Sequence, residues 1–293
     1  MCDRFFIVNP VSGSGKSRKL FEELLPQIER SGRSFEWRYT TGKGHARELA
    51  EEASRKGCQR VISVGGDGTA NEVAAALIGS DTEMGILPFG TGNDFAKAVG
   101  LPTDPDAALY GEARPVDAAM ANDKPFINVS GTGFDVDVII NTEKFKKRFN
   151  GMLPYMLGIF QSLMHLKPVT FEITADGESF TERALLFNAC NGTHFAGGMH
   201  VAPMASPYDG LLDVCILRAI SIPQFLLLLP RYTRGAHTAS RHVRYFKAKE
   251  IAVRCDSENI INLDGELDSS TPVTFKVLPG AIKLALPGEK GNK

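Results

Sequence analysis

Along the first 115 or so residues, short apolar runs alternate with segments whose apolar positions recur every three or four residues. Arg4 to Val8 is an apolar run closed by Asn9-Pro10, which reads as a buried strand. From Lys19 to Ser31, the positions Leu20, Leu24, Leu25 and Ile28 mark one face of a helix. The same alternation predicts strands over Phe35 to Tyr39, Arg60 to Val64 and Met84 to Leu87. Between and after them it predicts helices over His45 to Lys56, Asn71 to Ile78 and Asn93 to Val99. Strands separated by helices of this length form βαβ units, hence a parallel sheet.

Beyond Arg114 the pattern changes to closely spaced strands: Lys124 to Ser130, Thr170 to Ala175, Glu182 to Asn191, Leu212 to Leu217, His242 to Val253, Asn259 to Leu263 and Val273 to Leu278. Asp176-Gly177, flanked by two of these runs, is a two-residue hairpin signal. One helical pattern, Met152 to Leu166, interrupts the series. The chain therefore reads as α/β in two parts. An N-terminal parallel-sheet α/β domain covers residues 1–118; a C-terminal, mainly antiparallel β-sandwich domain with one added helix covers residues 119–293, its tail able to return to the first domain.

The 293 residues carry 33 Lys and Arg against 34 Asp and Glu, a net charge of −1, which argues against nucleic acid as a partner held by bulk charge. Five scattered cysteines without a CxxC pair exclude a disulfide scaffold or a zinc ribbon and predict a reduced, cytoplasmic setting. The six histidines show no spacing typical of a metal site. No apolar run approaches the roughly 20 residues that span a bilayer, and the N-terminus lacks the apolar core of a signal peptide.

Candidate chemistry sits where predicted strands end, the place where open parallel sheets bind ligands. Asn9 to Ser17 reads Asn-Pro-Val-Ser-Gly-Ser-Gly-Lys-Ser and falls short of a Walker A loop, because Pro10 stands where the first glycine is required. Its small residues expose backbone N–H groups, and Lys16 or Arg18 could reach a phosphate; the alternative is a plain strand-to-helix turn. Gly65-Gly66-Asp67-Gly68-Thr69-Ala70-Asn71-Glu72 lets a phosphate chain approach the backbone. Asp67 would repel that phosphate unless it meets Mg²⁺, hydrogen-bonds a ribose or holds a backbone turn; it could equally cap the next helix. Pro88-Phe89-Gly90-Thr91-Gly92-Asn93-Asp94-Phe95 is a third such loop, with Asn93 or Asp94 as its helix cap. Downstream, Asp264 and Glu266 flank Gly265 after an apolar strand, which suits either an ordinary hairpin turn or a carboxylate that takes a proton from a hydroxyl.

In order and approximate spacing these segments, with Asp209-Gly210-Leu211-Leu212-Asp213, resemble the diacylglycerol kinase catalytic family, in particular the bacterial soluble lipid kinases. The resemblance runs over essentially the whole chain. Gly-Gly-Asp-Gly-Thr alone is shared with NAD kinases and 6-phosphofructokinases, so the joint set carries it. It implies two domains with ATP in the cleft between them. Asn9, Pro10, Val11, Ser12, Gly13, Thr40, Gly65, Gly66, Asp67, Gly68, Thr69, Ala70, Asn71 and Thr91 would contact ATP. Asp67, Asp264 and Glu266 would serve phosphoryl transfer, one of the last two as base. A structural Mg²⁺ would fall on Ser206, Asp209 and Leu211, the first and last through backbone carbonyls, an oxygen-only site.

The implied reaction is ATP- and Mg²⁺-dependent transfer to a lipid hydroxyl, of diacylglycerol or a relative such as phosphatidylglycerol. The competing reading is a soluble, NAD-kinase-like kinase of a nucleotide or sugar. A third is a non-catalytic regulator. The implied partner is a lipid at a membrane surface, reached by peripheral contact with the inner face, and a homodimer is left open. Two apolar segments beside cations suit such contact: Gly151 to Leu166 after Lys144, Lys146, Lys147 and Arg148, and Phe225 to Leu229 before Arg231 and Arg234. Either could instead pack in the core.

Overall fold

The computed structural model describes residues 2–288 apart from 147, 150–152, 196 and 257, so Lys147, Gly151 and Met152 lie outside the described residues. The chain divides into two compact units. The first comprises Met1–Ala118, Ser206–Gly210 and Leu278–Lys293; the second comprises Ala119–Ala205 and Leu211–Val277.

The first unit runs β1 (Arg4–Val8), α1 (Lys16–Arg30), β2 (Phe35–Tyr39), α2 (His45–Arg55), β3 (Arg60–Gly65), α3 (Asp67–Leu77), β4 (Glu83–Pro88), α4 (Asp94–Ala98), α5 (Asp106–Tyr110) and β5 (Glu112–Ala121), the last strand ending in the second unit. Strands β4, β3, β1 and β2 pair in that order, all parallel. β3, in the middle, is buried along its whole length, whereas β2 at the edge alternates between half-buried and exposed. Phe6 and Val8 join Ile62, Val64 and Leu87 in a core with Phe21, Leu24 and Ile28, the periodic stripe of α1. Sequence periodicity starts α1 at Lys19 and α3 at Asn71; both helices begin earlier, at Lys16 and Asp67, because their first turns are made of polar loop residues that carry no apolar signal.

The three chain segments of this unit meet at Asp117. Its buried carboxylate accepts the N–H of Gly210 at 2.7 Å and of Gly280 at 2.7 Å.

The second unit continues with β6 (Lys124–Phe126), β7 (Val129–Gly133), α6 (Phe134–Lys146), α7 (Leu153–Met164), β8 (Val169–Ala175), β9 (Glu178–Cys190), β10 (His194–Phe195), β11 (Met199–His200), β12 (Leu212–Arg218), α8 (Ile222–Tyr232), β13 (Val243–Ala248), β14 (Glu250–Cys255), β15 (Ile260–Leu263), β16 (Glu266–Ser270) and β17 (Val273–Leu286), which ends in the first unit. β9 pairs antiparallel with β7, β8 and β12, β12 with β13, β8 with β14, and β15 with β7 and β16. This is the antiparallel, sandwich-like β domain that the alternation predicts. β12 is buried on both faces: Leu212, Val214 and Ile216 enter the core between strands, while Cys215 and Leu217 face a layer of helices.

Three expectations need correction here. The added helices number three among the described residues, because α6 and α8 accompany α7. The run His242 to Val253 is two strands, turned at Lys249, whose N–H with that of Glu250 is held by the Asp176 carboxylate. The run Lys124 to Ser130 is likewise split into β6 and β7, where Ile127 and Asn128 leave the ladder to donate elsewhere. No helix among the described residues is long and apolar enough to cross a membrane.

Candidate functional site

The adjacent strands β1, β3 and β4 deliver three loops to one edge of the sheet. In the first, Gly13, Ser14 and Gly15 are all left-handed, with φ of 59°, 59° and 85°, just before α1 begins at Lys16. Successive left-handed residues at a helix start turn backbone N–H groups toward an anion. The loops are packed against one another. A Cβ at Gly13 would stand 2.4 Å from the Phe89 carbonyl oxygen, and one at Gly90 would stand 2.3 Å from the Gly66 Cα. Only glycine fits, and its absence of a side chain lets the three backbones converge. Asn9 Nδ2 donates to Thr69 Oγ1 at 3.1 Å, tying the first loop to the second.

Asp67 resolves one of the alternatives left by the sequence. Gly66, not Asp67, is the N-cap residue of α3. The Asp67 carboxylate instead accepts the N–H of Phe95 at 3.1 Å, in the first turn of α4. Burial pushes its carboxyl above the usual range, the Phe95 N–H opposes that, and Asp94 adds to it. Asn93 occupies the N-cap position of α4 with φ +53° but makes no side-chain cap; its side chain bridges the Pro88 and Gly90 carbonyls at 2.7 and 3.0 Å. Glu72 accepts from Gly44 and Ala46 at the start of α2 at 2.8 and 3.0 Å, a second structural carboxylate that reads as part of the motif in sequence.

The donor set fits a nucleotide phosphate chain. The glycines leave the backbone bare of side chains and Thr91 is exposed at the tip of the third loop; the buried Asn71 Oδ1, which accepts no hydrogen bond among the described residues, suits a hydroxyl or amino donor of a nucleotide and not its phosphates. Lys16 is exposed at the first position of α1. Arg18 is engaged elsewhere, bonded to Glu22 at 2.8 Å and stacked 5.3 Å from the Tyr39 ring, which leaves Lys16 as the cation beside the loop. Thr40 follows β2, its N–H bonded to the Val8 carbonyl at 2.9 Å.

In the second unit the two downstream carboxylates behave differently. Asp264 adopts φ +49°, and its carboxylate accepts three backbone N–H groups: Ile127 at 2.8 Å, Asn128 at 3.0 Å and Val129 at 2.8 Å. It locks the turn after β15 onto the corner before β7. Glu266 opens β16, half-buried, opposite Leu263. Asn262 supports the turn from inside: its Oδ1 accepts the Gly265 N–H at 2.7 Å and its Nδ2 donates to buried Asp135 at 3.2 Å.

The sequence motifs do not include Asp135, although it and Asp137 interrupt the otherwise apolar run Phe134 to Ile140. Burial pushes its carboxyl up to about 6, partly opposed by the Asn262 amide. Its ordinary value is 3.8, so from about pH 4 to 6 the folded chain holds a proton that the unfolded chain has lost. Stability attributable to this group is therefore greatest below that window and falls as pH rises through it. Asp135→Asn should reduce the slope and raise stability at neutral pH by on the order of 3 kcal/mol. Urea denaturation at pH 4.5 and 7 checks this, and an unchanged slope in the variant contradicts it.

Ser206 and Asp209 lie on a turn of the first unit, where the Asp209 N–H approaches the Ser206 carbonyl at 3.5 Å and Gly210 takes φ +69°. Asp209 is exposed, and half-buried Leu211 precedes β12. The Asp209 carboxylate is an oxygen donor of the kind Mg²⁺ takes while retaining several waters. Among the described residues no three His, Cys, Asp or Glu side chains gather as a metal cluster.

Residues 3–121 match the model of the diacylglycerol kinase catalytic domain, and residues 128–286 match that of the YegS C-terminal NAD kinase beta sandwich-like domain. The chain is 32% identical to a diacylglycerol kinase of Bacillus subtilis over 98% of its own length and 97% of the relative's. It is 31% identical to a diacylglycerol kinase of Mycobacterium tuberculosis, covering 96% and 94%. To the protein named "Probable lipid kinase YegS" of Salmonella typhimurium it is 32% identical, covering 94% of each chain. A Bacillus anthracis crystal structure superposes with a TM-score of 0.79 at 24% identity, covering 97% of this chain and 96% of that one, which speaks for the fold.

Proposed function

The chain belongs to the diacylglycerol kinase catalytic family and is a lipid kinase; from that premise we propose that it transfers the γ-phosphate of ATP, with Mg²⁺, to the hydroxyl of diacylglycerol. The observation that carries this is the convergence of three glycine loops at the ends of β1, β3 and β4, which brings backbone bare of side chains together at a helix-start edge of the sheet suited to an anion.

In this reading the loop amides and Lys16 bind the phosphates, and Asp67 acts through position, holding the third loop to the second. Glu266 takes the proton of the acceptor hydroxyl. The hydroxyl oxygen then bonds to the γ-phosphorus as the bond to the β,γ-bridging oxygen breaks, and ADP leaves with that electron pair. Asp264 keeps Glu266 in place, since its own oxygens are committed to Ile127, Asn128 and Val129. Mg²⁺ on Asp209 and the Ser206 and Leu211 carbonyls would steady the turn that Asp117 anchors and supply positive charge there.

ADP release from Mg-ATP, followed with diacylglycerol, phosphatidylglycerol, sphingosine or NAD as acceptor, tests the reading. Stimulation by diacylglycerol is the expected result. Stimulation by NAD alone would instead favour the NAD-kinase-like reaction.

A further inference from the structure

Two helices of the second unit carry large apolar side chains on their outer faces. On α7, Leu153, Met156, Phe160 and Met164 recur at three- and four-residue intervals and are 47–65% exposed. The opposite face is committed to α6: a Cβ at Gly158 would stand 2.4 Å from Thr142 Oγ1, and Asn141 Nδ2 donates to Ser162 Oγ at 2.9 Å. The stripe is therefore held outward by packing on the other side. On α8, Ile222, Leu226 and Leu227 are 39–77% exposed, while Phe225, Leu228 and Tyr232 enter the same core cluster as Leu163 of α7. Single exposed apolar residues need no explanation, but a continuous stripe on each of two helices sharing one core marks a surface that something covers.

Charge identifies what covers it. Neither helix contains an acidic residue, and α7 contains no charge at all. Before α7 stand exposed Lys144, Lys146 and Arg148; after it stand His165 and Lys167; Arg231 and Arg234 follow the α8 stripe. On α6, which packs against α7, Glu143 is paired with Lys146, and Asp137 lies within the field of Lys167, His165 and Lys144. Apolar side chains rimmed by cations match the acyl and headgroup layers of an anionic bilayer. A second copy of the chain on the same face would set cations against cations.

We propose that α7 and α8 dock this unit on an anionic membrane surface, Leu153, Met156, Phe160, Met164, Leu226 and Leu227 entering the interface. The inference rests on the lipid-kinase reading for its purpose, because an acceptor with long acyl chains stays in the membrane, but its test does not depend on catalysis.

The full chain is sedimented with vesicles of phosphatidylcholine alone and of phosphatidylcholine mixed with phosphatidylglycerol. The protein should bind the mixed vesicles, less so at high salt. The double variants Phe160→Ser/Met164→Ser and Leu226→Ser/Leu227→Ser should each lose roughly tenfold or more in partition. Both should keep their melting temperature and their activity on a short-chain, water-dispersed diacylglycerol. Phe160→Trp should shift its emission to the blue on mixed vesicles. The proposal is overturned if the wild-type protein does not bind, if the double variants partition as it does, or if the emission of the Phe160→Trp protein stays unshifted. It is also overturned if sedimentation equilibrium finds a dimer that these substitutions dissociate. Vesicle binding without phosphate transfer to any acceptor would leave the docking intact and remove the kinase reading.

Discussion

Gly90→Ala is expected to abolish tight ATP binding. The added Cβ would lie 2.3 Å from the Gly66 Cα and 3.0 Å from the Gly66 nitrogen, both backbone atoms that no rotamer change can move. The second and third loops must separate, which undoes the convergence on which the phosphate site depends. Overpacking of this kind costs about 1–3 kcal/mol, and at the upper end that is roughly a hundredfold in affinity. Gly68 makes the complementary case. Among the described residues nothing lies within 4 Å of a Cβ there, and Gly68 sits in the first turn of α3, where alanine favours the helix. Gly68→Ala should therefore melt no lower than wild type yet bind ATP more weakly, because its methyl projects into the open space where the proposed phosphate site lies. Calorimetric titration with Mg-ATP beside thermal melting separates the two; wild-type affinity in Gly90→Ala contradicts the loop geometry.

The second large effect distinguishes the two carboxylates of the acidic turn. Glu266→Gln should lower kcat by about 10³, the middle of the range for removing a general base, while the protein melts as wild type and still binds ATP. Asp264→Asn should fail differently. An amide cannot accept all three N–H groups of Ile127, Asn128 and Val129, since its own NH₂ would face one of them. Leaving a donor unpaired costs roughly 1–3 kcal/mol, so stability and activity should fall together. Thermal melts with steady-state rates decide: an Asp264→Asn protein of unchanged stability, or a Glu266→Gln protein of normal turnover, refutes the assignment.

What could be read from the chain was local. Each strand and helix of the first unit is bounded by its own turn residues, and the loops after β1, β3 and β4 are contiguous stretches whose glycines announce close backbone approach. What could not be read depended on distant partners. Asp264 meets its three donors 135–137 positions upstream, so nothing in Leu263 to Glu266 separates a structural carboxylate from a base. The role of Asp67 depends on Phe95, 28 positions on, and the turn at Lys249 depends on Asp176. The helix α6 escaped because its apolar residues are spread around its circumference, with Asp135 and Asp137 among them, and leave no stripe. α8 escaped because Pro223 and Pro230 sit within it and read as breakers.

The most direct test follows the γ-phosphate itself. Labelled ATP is supplied with Mg²⁺ and mixed micelles carrying diacylglycerol, and the label is partitioned between water and organic solvent. A labelled lipid phosphate is the predicted product, lost when the metal is chelated and lost in Glu266→Gln. Label that stays entirely in the aqueous phase, as inorganic phosphate or on an added soluble acceptor such as NAD, would contradict transfer to diacylglycerol.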